Sequence, residues 1–223
     1  LRRERGKTVV LCLEPEPGCV LETTQETIAF FKSHLFRGRG EEEGLLRRHL
    51  GVCFDTCHMA MQFEDLPRSA HLLASEGIRV AKAQLSSALS VKDPGLNPEG
   101  VLALKSFDEP RFLHQLRART EKGILGLDDL GQLNLVGPEW QTASEWRCHF
   151  HVPIDRKAFP PLGTTQGDLA AAMEAFRKLP DPPDFEIETY TWGVLPEPER
   201  PKGVEGLVAG ISREIAWARG CLL

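Results

Sequence analysis

The 223-residue chain is 41% apolar and 26% charged, with a formal net charge of −5. That balance excludes a disordered chain and the dense Lys/Arg surface that binds nucleic acid through its backbone. No apolar run approaches the roughly 20 residues of a membrane span. Six cysteines, at 12, 19, 53, 57, 148 and 221, are sparse for this length. They argue against a secreted disulfide scaffold and for a reducing, cytoplasmic setting, with Cys12 and Cys53 as small core residues. The chain opens at Leu1 with Leu-Arg-Arg-Glu-Arg-Gly-Lys, which lacks the apolar centre of a signal peptide. A start inside a longer reading frame is expected, over a single domain spanning 1–223.

The first predicted element is a strand over Thr8 to Leu13, a continuous apolar run expected to be buried on both faces. Thr23 or Thr24 then caps a helix over Gln25 to Phe36, with Ile28, Phe31 and Leu35 on one side. A short helix over 41–50 is acidic at its start and basic at its end, as the helix dipole favours. Gly51 to Asp55 is a second buried strand. A helix carrying Leu66, Ala70, Leu73 and Ala74 follows and stops at Gly77. Ile78 to Leu85 is a third strand. This alternation predicts a parallel α/β sheet. Residues 90–123 read as helix or loop, and Ile124 to Leu135 as a hairpin or strand. Glu145 to Ile154 reads as a fourth strand with His149 and His151 on one face, and 165–179 as an Ala-rich helix ended by Pro180. Phe185 to Thr191 is the last strand and Val204 to Leu222 the closing helix.

In parallel α/β folds, ligands bind at the carboxyl ends of the strands. Those ends carry Glu14, then Asp55 with His58 three residues on, then Gln84, then His149 and His151, then Glu188. Carboxylates and imidazoles converging from adjacent strands make a divalent-metal site suited to Mn²⁺, Mg²⁺ or Zn²⁺. A metal there polarises a carbonyl or hydroxyl, and carboxylates such as Glu14 and Glu188 are placed for proton transfer. Trp146 and Trp192 lie near these ends and could offer an aromatic face to a sugar ring. Cys53, Cys57 and Cys148 read as packing residues, because their spacing is not that of a structural zinc site.

Leu13-Glu14-Pro15, Phe54-Asp55-Thr56-Cys57-His58 and Ile187-Glu188-Thr189, in that order, resemble the second half of a xylose-isomerase-like TIM barrel. That superfamily holds sugar isomerases, sugar epimerases and type IV apurinic endonucleases. Leu-Cys-Leu-Glu-Pro-Glu-Pro-Gly, Asp-Thr-Cys-His, Lys-Ala-Gln-Leu-Ser-Ser-Ala-Leu and Arg-Cys-His-Phe-His-Val-Pro together resemble the EboE family of bacterial metabolite traffic proteins over nearly the whole chain. The resemblance implies the C-terminal portion of a (β/α)8 barrel, incomplete here, with unpaired outer strands. It implies Glu14, Asp55, His58 and Glu188 as metal ligands. Gln84 stands where the superfamily places a metal-binding His, and it offers only a neutral oxygen. Either the metal is held more weakly, or His149 or His151 supplies the missing imidazole. The implied role is binding of a small polyhydroxylated or prenylated metabolite in secondary-metabolite precursor traffic, alongside proteins of the same gene cluster. An active sugar isomerase or epimerase is the alternative. A DNA-repair endonuclease is disfavoured by the acidic charge and by the lack of a basic, aromatic-rich stretch.

Overall fold

Four short strands form a parallel sheet. The computed structural model describes residues 5–38, 40–197 and 199–222; the reading of the opening residues therefore lies in part outside the described residues. The strands are β1 (Leu11–Leu13), β2 (Leu50–Asp55), β3 (Arg79–Leu85) and, much later, β10 (Asp184–Ile187), side by side in that order. Between them run α1 (Thr24–Phe30), extended by a π-helical turn at Phe31–Leu35, α2 (Glu41–His49), α3 (Thr56–Met61) and α4 (Leu66–Ser75). Thr23 and Glu26 form a reciprocal capping box at the start of α1. Asp65 accepts from the Arg68 N–H to start α4, and Gly77 ends that segment at φ +70°.

Val52, Phe54, Val80 and Ala83 point from β2 and β3 into these helices. They meet Phe31, Leu66, Leu73 and, from α6 (Gln166–Arg177), Phe176. The Phe54 and Phe176 rings stand edge to face at 5.1 Å, and each such buried side chain contributes about 1.5–3 kcal/mol. On the opposite face Val10, Cys12, Ala81, Lys82, Asp184 and Glu186 line a groove of 490 Å³. Among the described residues β1 pairs only with β2, and β10 only with β3. Two corrections follow. The first strand is not buried on both faces: Leu11 is 65% exposed, because an edge strand lacks a neighbour. Cys12 is half-buried for the same reason, whereas Cys53 is buried as expected. Among the described residues the parallel strands number four and do not close into a barrel, in line with the expected unpaired outer strands.

The segment between β3 and β10 builds a second, antiparallel sheet. It contains β4 (Leu89–Lys92), β5 (Leu116–Thr120), β6 (Gly123–Leu127), β7 (Glu145–Cys148), β8 (Ala158–Phe159) and β9 (Leu162–Thr164), in the order β6-β5-β7-β4-β9-β8. The helix α5 (Pro98–Lys105) packs on it. Its core holds Trp140, Trp146, Phe107 and Phe150. The expected fourth parallel strand over 145–154 is thus corrected. Only Glu145–Cys148 is strand, and it pairs antiparallel with β4 and β5. The chain returns through α6 to β10, which aligns directly on β3, and α7 (Gly203–Leu222) closes the structure.

β2 and β3 carry one irregularity. Val52 faces Val80 but Cys53 faces Lys82, so Ala81 is an extra residue on β3. Beyond it, Asp55, Gln84 and Glu186 lie abreast.

Candidate metal centre

Asp55 is the last residue of β2 and also the N-cap of α3. Its Oδ1 accepts from the His58 backbone N–H at 2.9 Å and from the Ser86 hydroxyl at 2.7 Å. The cap aims α3 so that His58, one turn in, lies buried above the strand ends. Glu14 follows β1 and Glu188 follows β10. Carboxylate oxygens of Glu14, Asp55 and Glu188 lie within 4.8 Å of one another. The second oxygens of Asp55 and Glu188 have no hydrogen-bond partner, which is costly for buried acceptors.

Three imidazoles converge beside these carboxylates. His149 Nε2 stands 3.1 Å from Nε2 of His58 and 3.1 Å from Nε2 of His151. The other ring nitrogens are engaged: His58 Nδ1 with Pro15 O at 3.1 Å, His151 Nδ1 with Glu188 O at 2.8 Å, and His149 Nδ1 with Gln115 Oε1 at 2.7 Å. A backbone carbonyl only accepts, so His58 and His151 carry protons on Nδ1, and in the neutral ring that leaves a bare lone pair at Nε2. A proton on His149 Nε2 would satisfy one of its two contacts and leave the other as lone pair against lone pair. A cation resolves both. Two imidazoles on one ion at about 2.0–2.1 Å, with angles of 90–109°, sit about 2.9–3.4 Å apart, which brackets the observed spacing.

Burial acts on every group here. It holds His149 well below the ordinary histidine range, reinforced by the neighbouring rings. It also lowers His151, against the pull of Asp55. Burial alone would raise Asp55, but His58, His151, the His58 N–H and the Ser86 hydroxyl together keep it below the usual carboxylate range. Burial raises Glu14. Burial, then the charge of Asp55, pushes Glu188 up to about 9. Neutral imidazoles, one firm carboxylate and crowded acids are a donor set that a divalent ion would relieve.

The ligand-bearing groups that come together are Asp55–His58–His151, Glu16–His58–His149, Cys57–His149–His151 and Glu14–Asp55–Glu188. Both candidate histidines of the 145–154 segment come into this cluster. They reach the site from extended chain beyond β7, not from one face of a strand. Gln84 is buried beside Asp55, and its Oε1 accepts from Cys53 Sγ at 3.1 Å. Trp146 and Trp192 do not face the site. Trp146 is fully buried, donating to Trp140 O at 2.9 Å, and Trp192 is 7% exposed against α7. The aromatic beside the centre is Tyr190, 45% exposed, with its ring 4.8 Å from that of His151 and 5.0 Å from that of Phe112.

Sequence reasoning also missed Glu16, Gln115 and the metal-ligand geometry of Cys57. Cys57 has a signal, being adjacent to His58 in Asp-Thr-Cys-His, but its place among the imidazoles shows in space and not along the chain. Gln115 has none, because it lies just before β5 in a stretch of short strands. No helix of the described residues is long and apolar enough to cross a membrane. No protein-family model, curated protein or solved structure matches this chain.

Proposed function

We propose that the cluster at the strand ends is a divalent-metal site that holds a small polyhydroxylated metabolite. The observation that carries this is the 3.1 Å approach of His149 Nε2 to two other imidazole nitrogens whose protons sit on the far side of their rings. The imidazole share of the donors favours Zn²⁺ over Mn²⁺ or Mg²⁺. Such an ion supplies a Lewis-acidic centre for vicinal hydroxyls or a carbonyl oxygen. Elemental analysis of the purified chain tests this directly. One ion per chain is expected, lost in Glu188→Gln and His149→Gln variants. No bound metal after reconstitution with Zn²⁺ and Mn²⁺ refutes it.

We propose further that the four parallel strands are the C-terminal portion of a xylose-isomerase-like barrel of the EboE type, acting in bacterial secondary-metabolite precursor traffic. The groove along one sheet face and, among the described residues, the two unpaired outer edges support the barrel. The pathway rests on the sequence resemblance. A second reading, an active sugar isomerase or epimerase, is favoured by Glu14 and Glu188 flanking the site. An epimerase exchanges a carbon-bound proton with solvent, and an isomerase interconverts a ketose and an aldose with or without that exchange. Deuterium next to the carbonyl of a ketose incubated in D₂O, or formation of the aldose, selects that reading, and a metabolite bound with neither selects traffic. The net charge of −5 weighs against a nucleic-acid substrate.

A further inference from the structure

The helix α7 buries only Gly210, Glu214 and Ala218, a single stripe at four-residue spacing. The first and last are small for a packing reason. A Cβ on Gly210 would stand 2.6 Å from the Trp192 ring, and Ala218 joins the cluster of Leu85, Ile154, Leu169 and Met173. The middle position is a carboxylate that is 0% exposed. A helix that merely covers apolar surface would carry an apolar residue there, because a buried carboxylate costs several kcal/mol unless it is well hydrogen-bonded.

The two bonds that Glu214 accepts indicate its role. Its Oε1 takes the Ile154 backbone N–H at 3.0 Å and the Thr189 hydroxyl. Ile154 lies three residues after His151, and Thr189 follows Glu188. The same two segments are joined twice more, by His151 Nδ1 to Glu188 O at 2.8 Å and by the Thr191 hydroxyl to His151 O. We propose that Glu214 is a positioning residue that fixes His151 and Glu188 relative to each other from outside the centre. This deepens the metal reading and rests on it. Glu214 touches no ligand atom itself. It locks the loop after β7 onto the turn after β10, so that the imidazole from one and the carboxylate from the other meet at a set distance.

The test uses the full chain with Glu214→Gln, Glu214→Leu and Thr189→Val. Zn²⁺ affinity is read by competition with a chromophoric chelator, and the His151 tautomer by ¹⁵N shifts of the metal-free protein. Gln keeps one acceptor oxygen, so Glu214→Gln binds within about threefold of the wild type, while Glu214→Leu loses roughly ten- to a hundredfold and releases the Nδ1–H form of His151. Thr189→Val deletes one donor without touching α7 and loses affinity severalfold, so the proposal stays testable if the Leu variant fails to fold. Wild-type affinity together with an unchanged His151 tautomer, in Glu214→Leu or in Thr189→Val, overturns the proposal. Absence of Zn²⁺ binding by the wild type overturns the metal reading alone. The tautomer then decides for Glu214: retained in the variants it refutes the role, and lost it supports it.

Discussion

Asp55 serves two purposes on two different oxygens, and Asp55→Asn separates them. Oδ1 caps α3 and accepts from Ser86, and an amide oxygen does both equally well. Oδ2 has no partner and lies in the carboxylate cluster with Glu14 and Glu188, within 4.8 Å. At that distance two full charges repel by about 3.5 kcal/mol at an effective dielectric of 20. Glu188 is held protonated up to about 9, which removes its share near neutral pH. Glu14, with 35% of its side chain exposed, is partly screened by water. Asp55 nevertheless stays below the usual carboxylate range, so its surroundings favour the ionised form on balance. We therefore expect the metal-free variant to be less stable by about 1 kcal/mol, the difference between charge-assisted and neutral hydrogen bonds, which lowers the midpoint of a domain this size by roughly 2–4 °C. With metal the gap widens. Zn²⁺ at a hundred times its Kd adds about 2.7 kcal/mol to the wild type and little to the variant. Urea unfolding with chelator and with Zn²⁺ measures both. A metal-free variant more stable than the wild type, or one stabilised by Zn²⁺ as much as the wild type, refutes the reasoning.

Two further predictions concern the imidazoles. His149 and His151 are kept neutral by burial, so below about pH 6.5 the unfolded chain takes up protons that these rings refuse. Metal-free stability then falls with falling pH, by up to about 1.4 kcal/mol per unit for each ring. Glu188 acts in the opposite sense, because its raised value makes the folded state hold a proton that the unfolded chain releases. Glu188→Gln removes that offset and exposes the histidine slope, and urea titrations between pH 7.5 and 5.5 showing no loss in this variant would falsify the account. Gln115→Leu deletes the acceptor of His149 Nδ1 and is expected to weaken Zn²⁺ binding roughly tenfold without changing the circular dichroism spectrum, as chelator competition would show.

The strand ends were readable because the chemistry follows the chain locally. An Asp that ends a strand, caps a helix and is followed three residues later by His leaves that imidazole little choice of position. His149 and His151 were paired correctly for a partly wrong reason. Extended chain alternates its side chains whether or not it belongs to a sheet, so the rings stay together even though the strand stops at Cys148. Residues 86–165 were opaque. Their strands are two to five residues long, and buried charges such as Arg117, Glu145 and Arg147 mask the apolar alternation that announces a sheet. The exposure of β1 depends on what lies beside it in space, which an apolar run cannot encode.

The extra residue in β3 divides that strand into two independently registered halves. Upstream of Ala81, Val80 is matched to Val52 and to the helices; downstream, Lys82 to Leu85 are matched to β10. Ala81 is thus the extra residue of the bulge. Deleting it would leave a regular ladder in which Val80, Lys82, Ala83 and Gln84 keep the partners Val52, Cys53, Phe54 and Asp55 that they have now. Because β10 aligns on the downstream half, Glu186 would keep its place abreast of Gln84 as well. The bulge is therefore a place where the strand can lose one residue while the centre stays in register, whereas the same loss elsewhere in β3 would turn the strand over.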